Sequence, residues 1–320
     1  MGKIKLTYFL LFLSVFISIP GKSLPDSTGI SLGYPVYSQY LQNGLIINPA
    51  YAGSRGVLSG FLSYRMQWMG TKGSPVIQSV SLHTPTKNDK VALGIVAQFM
   101  QFGFTRSTSI YANYAYHIKV GKGKLSFGLK GGADLSNTDY SGILLTNSGD
   151  PVFSGNDKPY VLPNVGAGLY YFSDKLFAGF SVPSFLSYRK TGTGSVQAFH
   201  SFNEYDLVFS AGGLITFTQF FKFKPSMLID YSLQNTKKLS QLDISGNIIL
   251  ADLIWFGGSW RTSEEVVVGI LQVQLNPQLM FGFSYDYPVG RMHSYSKGSS
   301  EFTLRYEFGY KVSAANPRYF

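Results

Sequence analysis

The chain is predicted to be all-β, a transmembrane antiparallel β-barrel of the outer-membrane kind with about 14 strands and a short N-terminal periplasmic or plug segment. Three observations carry that expectation: an export leader with no spanning helix after it, a long series of segments alternating with period two, and a surface short of charge. Of the 320 residues, 16% are aromatic and only 14% are charged. Soluble domains average about 25% charged, so much of this surface is not built for water.

The leader comes first. "MGKIKLTYFLLFLSVFISIPGKS" has Lys3 and Lys5, an apolar core from Leu6 to Ile19 and a small-residue stretch ending at Ser23, which is the form of a secretory signal over residues 1–23. A spanning helix needs roughly 20 apolar residues, so this core is too short to be an uncleaved anchor. The chain has no Cys, which excludes a lipid-anchored N-terminus and a disulfide framework. The formal charge of +10 includes three leader lysines, and no basic run forms a tail. An exported chain of this kind has no call on nucleic acid; its basic residues suit anionic headgroups or local acids.

After the leader the alternation begins, the mark of strands. In "LSGFLSYRMQW" Leu58, Gly60, Leu62, Tyr64, Met66 and Trp68 oppose Ser59, Phe61, Ser63, Arg65 and Gln67. "KLSFGLKGGAD" sets Leu125, Phe127 and Leu129 against Ser126, Lys130 and Asp134. "FFKFKPSMLIDY" sets Phe221, Phe223, Met227 and Ile229 against Lys222, Lys224 and Asp230, and "QLDISGNIIL" sets Leu242, Ile244 and Ile248 against Asp243, Ser245 and Asn247. The last, "EFTLRYEFGY", sets Phe302, Leu304, Tyr306 and Phe308 against Glu301, Thr303, Arg305 and Glu307. Less regular runs cover 74–83, 91–102, 107–119, 163–172, 175–184, 204–217, 253–261, 265–274 and 278–287, with turn residues such as "TPTKNDK", "VGKGK" and "FSDK" between them.

A soluble sandwich would turn the polar face to water, and that face is too thin in Lys and Glu here. A membrane barrel inverts the arrangement, apolar out and polar in, and closure leaves no unpaired edge in hydrocarbon. The barrel is expected over 55–311, with a tail over 312–320. Arg65, Gln67, Lys130, Asp134, Asp230, Glu301, Arg305 and Glu307 are expected to face the lumen, either lining a pore or pairing across a filled one. Tyr111, Tyr116, Tyr170, Tyr171, Tyr285 and Tyr287 are expected in interfacial girdles. Phe302, Leu304, Tyr306 and Phe308, with terminal Phe320, are read as the barrel-insertion signal. An even strand count places both termini in the periplasm and the long segments 137–162 and 186–203 outside, where a partner would meet them.

No chemistry stands out. His83, His117, His200 and His293 lack the spacing of a zinc site. Asp150, Asn156 and Asp157 fit turn chemistry better than a calcium loop. A Ser–His pair built on His83 or His117 is specified by nothing, and no cofactor is expected. The sequence points to a non-enzyme.

One stretch stands apart: "YSQYLQNGLIINPAYAGSRG", followed by "SYRMQW". Its Gln39–Tyr40, its Asn48–Gly53 turn and its Arg65, Gln67 and Trp68 resemble the PorP/SprF family of type IX secretion proteins. The ending "YDYPVGRMHSYSKGSSEFTLRYEFGYKVSAANPRYF" is similar to that family's, although Ser300 stands where members often carry His. The resemblance implies an outer-membrane barrel that helps export or retain a surface protein such as a gliding adhesin, working with other type IX components and outer-membrane lipid. Within segment 24–54, Pro49 fixes its own φ and holds Asn48 extended, while Gly53 is free to take φ > 0. Tyr37, Gln39, Tyr40, Asn48, Pro49, Ala50, Tyr51, Ala52 and Gly53 are therefore expected either to close the periplasmic mouth as a plug or to dock on a partner. The alternative function is an outer-membrane pore or hydrophobic-solute transporter.

Overall fold

A computed structural model describes residues 29–30, 37–139, 159–190, 196–233 and 240–309. The leader, Asp150, Asn156, Asp157 and Phe320 lie outside those residues. Fourteen wall strands follow the alternation in order: β1 Ser59–Met66, β2 Val76–Pro85, β3 Val91–Phe102, β4 Thr105–Val120, β5 Gly123–Thr138, β6 Tyr160–Phe172 and β7 Leu176–Val182. Then come β8 Asp206–Gly213, β9 Phe221–Ser232, β10 Gln241–Leu250, β11 Ile254–Arg261, β12 Val266–Gln274, β13 Leu279–Pro288 and β14 Ser299–Glu307. Each pairs antiparallel with its neighbours, and β14 returns to β1, with Glu301 opposite Arg65 and Glu307 opposite Ser59. The wall is a closed barrel. The expected strand over 204–217 is interrupted at Leu214, and only Ile215–Thr216 continue it as a short flap on β9.

Period-two patterning decides which face is which. Leu62, Leu93, Leu129, Val165, Ile244, Leu271 and Phe302 stand exposed on the outer face, while Ser63, Ser126, Asn164, Ser245 and Thr303 between them are buried within. Apolar exposure on this scale far exceeds the few hundred Å² a water-facing monomer carries, and it makes the belt of a membrane barrel. Among the described residues no helix is long and apolar enough to cross a membrane; the strands do the crossing. Phe302, Leu304 and Phe308 face outward, and Tyr306 is half-buried. Tyr116 and Tyr287 are exposed, but Tyr111 and Tyr170 are buried. Those two sit at the inward parity of β4 and β6, so they line the lumen and belong to no girdle.

The two ends differ. One holds the start of β1, the end of β14 and the connections 86–90, 121–122, 173–175, 251–253 and 275–278, and is termed the turn end. The other, the loop end, carries 67–75, 139–159, 183–205 and 289–298. At the loop end Ser187–Lys190 pairs with Val196–Phe199, and Gly29–Ile30 adds a third strand to that hairpin, Gly29 opposite Arg189. The N-terminal strand thus lies at the end opposite the start of β1, whereas the sequence expectation put the N-terminus beside it.

Candidate functional site

Residues 37–55 run down the inside of the barrel. Every residue of the expected partner-binding set is buried there: Tyr37, Gln39, Tyr40, Asn48, Pro49, Ala50, Tyr51, Ala52 and Gly53. The segment is a succession of tight turns whose backbone bonds are largely its own, such as Asn48 N to Gly44 O at 2.9 Å and Ser54 N to Tyr51 O at 3.0 Å, while wall side chains meet groups the turns leave over. Two of the turns are single 3₁₀ turns, Tyr40–Gln42 and Pro49–Tyr51. Asn48 is extended, as the following Pro demands, and its Oδ1 caps the second turn by accepting from Ala50 N at 2.9 Å. Gly53 takes φ 73°, a region open to glycine at little cost, and turns the chain towards β1.

At the loop end the segment is held by charge. Ser38 N donates to Glu301 Oε2 at 2.9 Å, and Ser38 Oγ donates to Asp286 at 2.7 Å. The same hydroxyl accepts from Arg65 Nη1 at 3.0 Å and Arg261 Nη2 at 3.2 Å. Around it Arg65 pairs with Asp286 at 2.6 Å, and Arg261 pairs with Asp243 at 3.0 Å and Asp286 at 3.1 Å. All five charged groups of this latch are buried. Buried charges of both signs with shared hydrogen bonds are tolerable only when the set is complete, and Ser38 completes it. Beside it, Gln39 Nε2 donates to the Glu301 carbonyl at 3.2 Å and Gln39 Oε1 accepts from Thr303 at 2.9 Å. The Tyr37 hydroxyl bonds Ser79 Oγ at 3.1 Å and accepts from Gln98.

Lower down, Arg305 Nη1 donates to Gln42 Oε1 at 2.5 Å, Asn43 Nδ2 to Ser81 at 2.7 Å, and Ser181 to the Ile47 carbonyl at 2.6 Å. Asn48 Nδ2 donates to the backbone carbonyls of Leu169 and Phe180 in β6 and β7. Tyr51 meets His83 and Tyr170 edge-on, with centroids 5.4 Å away in each case. At the turn end His83 Nδ1 accepts from Gly53 N at 3.0 Å, and His117 Nε2 donates to the Ala52 carbonyl at 2.9 Å. Arg55 then closes the run, its Nε 2.8 Å from Glu307 Oε1.

The wall has made room. A Cβ on Gly128 would lie 2.1 Å from Ala50 N, and one on Gly168 2.1 Å from Asn48 Oδ1. Bare backbone at these inward positions lets the segment lie against the strands. Two interior gaps remain beside it, one of about 80 Å³ next to Leu45 and Ile46 and one of about 20 Å³ next to Tyr40 and Tyr51.

Of the expected lumen-facing residues, Arg65, Glu301, Arg305 and Glu307 grip the inner segment or its partners. Gln67 is buried just beyond β1 at the loop end. Lys130 and Asp134 border the larger gap; the Lys130 ammonium lies over the Tyr111 ring, whose hydroxyl donates to Asp134. Asp230 is buried on β9. Sequence reasoning passed over Ser38, Arg55, Asp286, Arg261 and the hold that His83 and His117 have on the segment. The inward parity of β2, β4, β11 and β13 was the signal that could have found the last four. Among the described residues no group of three or more His, Cys, Asp or Glu is arranged to hold a metal, and the two inward His are occupied by backbone groups. The arrangement holds the inner segment against the wall along its length.

The sequence model of a family described as "Type IX secretion system membrane protein PorP/SprF" matches residues 30–306. The chain belongs to that family. The match takes in the latch, the inner segment, the first thirteen strands and β14 as far as Tyr306. No curated protein matches the chain. Among solved structures, the CymD monoaromatic hydrocarbon channel is 14% identical, covering 89% of this chain and 95% of its own, with a TM-score of 0.49. A deltaS2 mutant of the TodX monoaromatic hydrocarbon channel is 11% identical over 84% and 94%, with a TM-score of 0.47. A Pseudomonas aeruginosa FadL homologue is 11% identical over 82% and 93%, with a TM-score of 0.45. A likeness this remote says nothing of what this chain carries or binds.

Proposed function

We propose that the protein is a plugged, non-enzymatic barrel of the type IX secretion system, which helps export or retain a partner surface protein such as a gliding adhesin. The observation that carries this reading is the occupied lumen: residues 37–55 are bonded to the wall from the loop end to the turn end, as a scaffold needs and an open conduit forbids. Family membership supplies the system. The barrel sits in the outer membrane with its turn end in the periplasm, because short turns face that side in barrels of this kind and longer loops face out. The connections leaving β5 and β7 then meet the external partner, while the turn end faces the periplasmic secretion components. The buried positions from Tyr37 to Gly53 serve the partner indirectly, by holding the barrel in the closed form that the partner recognises.

Affinity capture of the tagged protein from its native outer membrane tests this. Stoichiometric recovery of a large exported surface protein or of secretion subunits is expected, and loss of that recovery when the connection between β7 and β8 is shortened. A well-inserted barrel recovered alone would overturn the proposal.

A further inference from the structure

The inner segment has a direction. Ser38 is held by Arg65, Asp286 and Glu301, all at the loop-end tips of β1, β13 and β14, and Tyr37 by Ser79 near the loop end of β2. Gly53 and Arg55 are held by His83 and Glu307 at the turn-end tips of β2 and β14. The chain therefore travels from loop end to turn end before it enters β1. Upstream, Gly29–Ile30 is paired with Tyr188–Arg189 in the hairpin that rises from the loop end.

From these two anchor points we infer that the N-terminal segment threads the closed barrel from end to end. The strand Gly29–Ile30 is thereby delivered to the same side of the membrane as the long connections, opposite the turns. The wall records the passage in the glycines that give it space, Gly128 and Gly168. The thread is tied at both ends, by strand pairing to the hairpin outside and by the covalent link to β1 at the turn end. The inference stands independently of partner identity and of which compartment each end faces.

The absence of Cys from the chain makes the test direct. Single variants Gly29→Cys, Tyr295→Cys (exposed at the loop end) and Lys122→Cys (exposed at the turn end) are treated in intact cells with a membrane-impermeant maleimide. The expected result is that Gly29→Cys and Tyr295→Cys behave alike and Lys122→Cys differs, one side labelling in intact cells and the other only after the outer membrane is opened. Labelling of Gly29→Cys together with Lys122→Cys would overturn the inference. A second readout covers shielding of position 29: the double variant Gly29→Cys/Arg189→Cys should form an intramolecular disulfide that shifts the protein on a non-reducing gel. A double variant that inserts normally and forms no disulfide would also overturn it.

Discussion

Glu307 holds Arg55 at the foot of the lumen through two bonds to one oxygen, at 2.8 and 2.5 Å. Replacing it with Ala leaves a buried guanidinium without its carboxylate, and such a loss costs about 3–5 kcal/mol. Glu307→Ala is therefore expected to lower the temperature at which the folded barrel converts to the unfolded band on a gel, and Glu307→Gln to do so by less. Gly128→Val acts by volume instead. The new Cβ would overlap Ala50, so the segment must shift, and protease should then cut within residues 37–55 where it leaves the native barrel intact. Equal protease resistance in both proteins would contradict the packing described.

The elements were largely legible and the inner segment was not. The five regular runs fixed the face of each residue they covered, because the side-chain period of a strand is two and lipid admits apolar groups alone on the outside. Arg65, Glu301 and Arg305 could be read as inward from that alone. Tyr111 and Tyr170 were misassigned because an aromatic suits either an interface or a packed lumen, and parity had to decide. Asn48, Pro49 and Gly53 disclosed a rigid turn through their own backbone restrictions. Its surroundings were beyond reach, since Ser38 meets Asp286 and Glu301 across nearly the whole sequence and no local pattern encodes such contacts. The segment is also separable from the wall in a testable way. Wall strands bond to one another through their backbones, so a chain lacking residues 37–54 is expected to insert as a barrel with reduced heat stability.

At the scale of the whole molecule the charge and surface fall into place. A chain poor in charged residues spends many of them inside: Arg65, Arg261, Asp243, Asp286 and Glu301 form one latch, with Arg55, Arg305 and Glu307 below. Outside, the apolar belt meets lipid. Such a molecule is a closed cylinder with its own N-terminal segment as its filling. Family membership places it among type IX secretion membrane proteins, and no residue pattern in the sequence names a partner. Single-channel recording in planar bilayers tests the closed lumen most directly, with the full-length protein compared against the variant lacking residues 37–54. The full-length protein is predicted to be silent and the deletion variant to give large, steady openings. Steady openings from the full-length protein would contradict the plugged barrel and restore the pore.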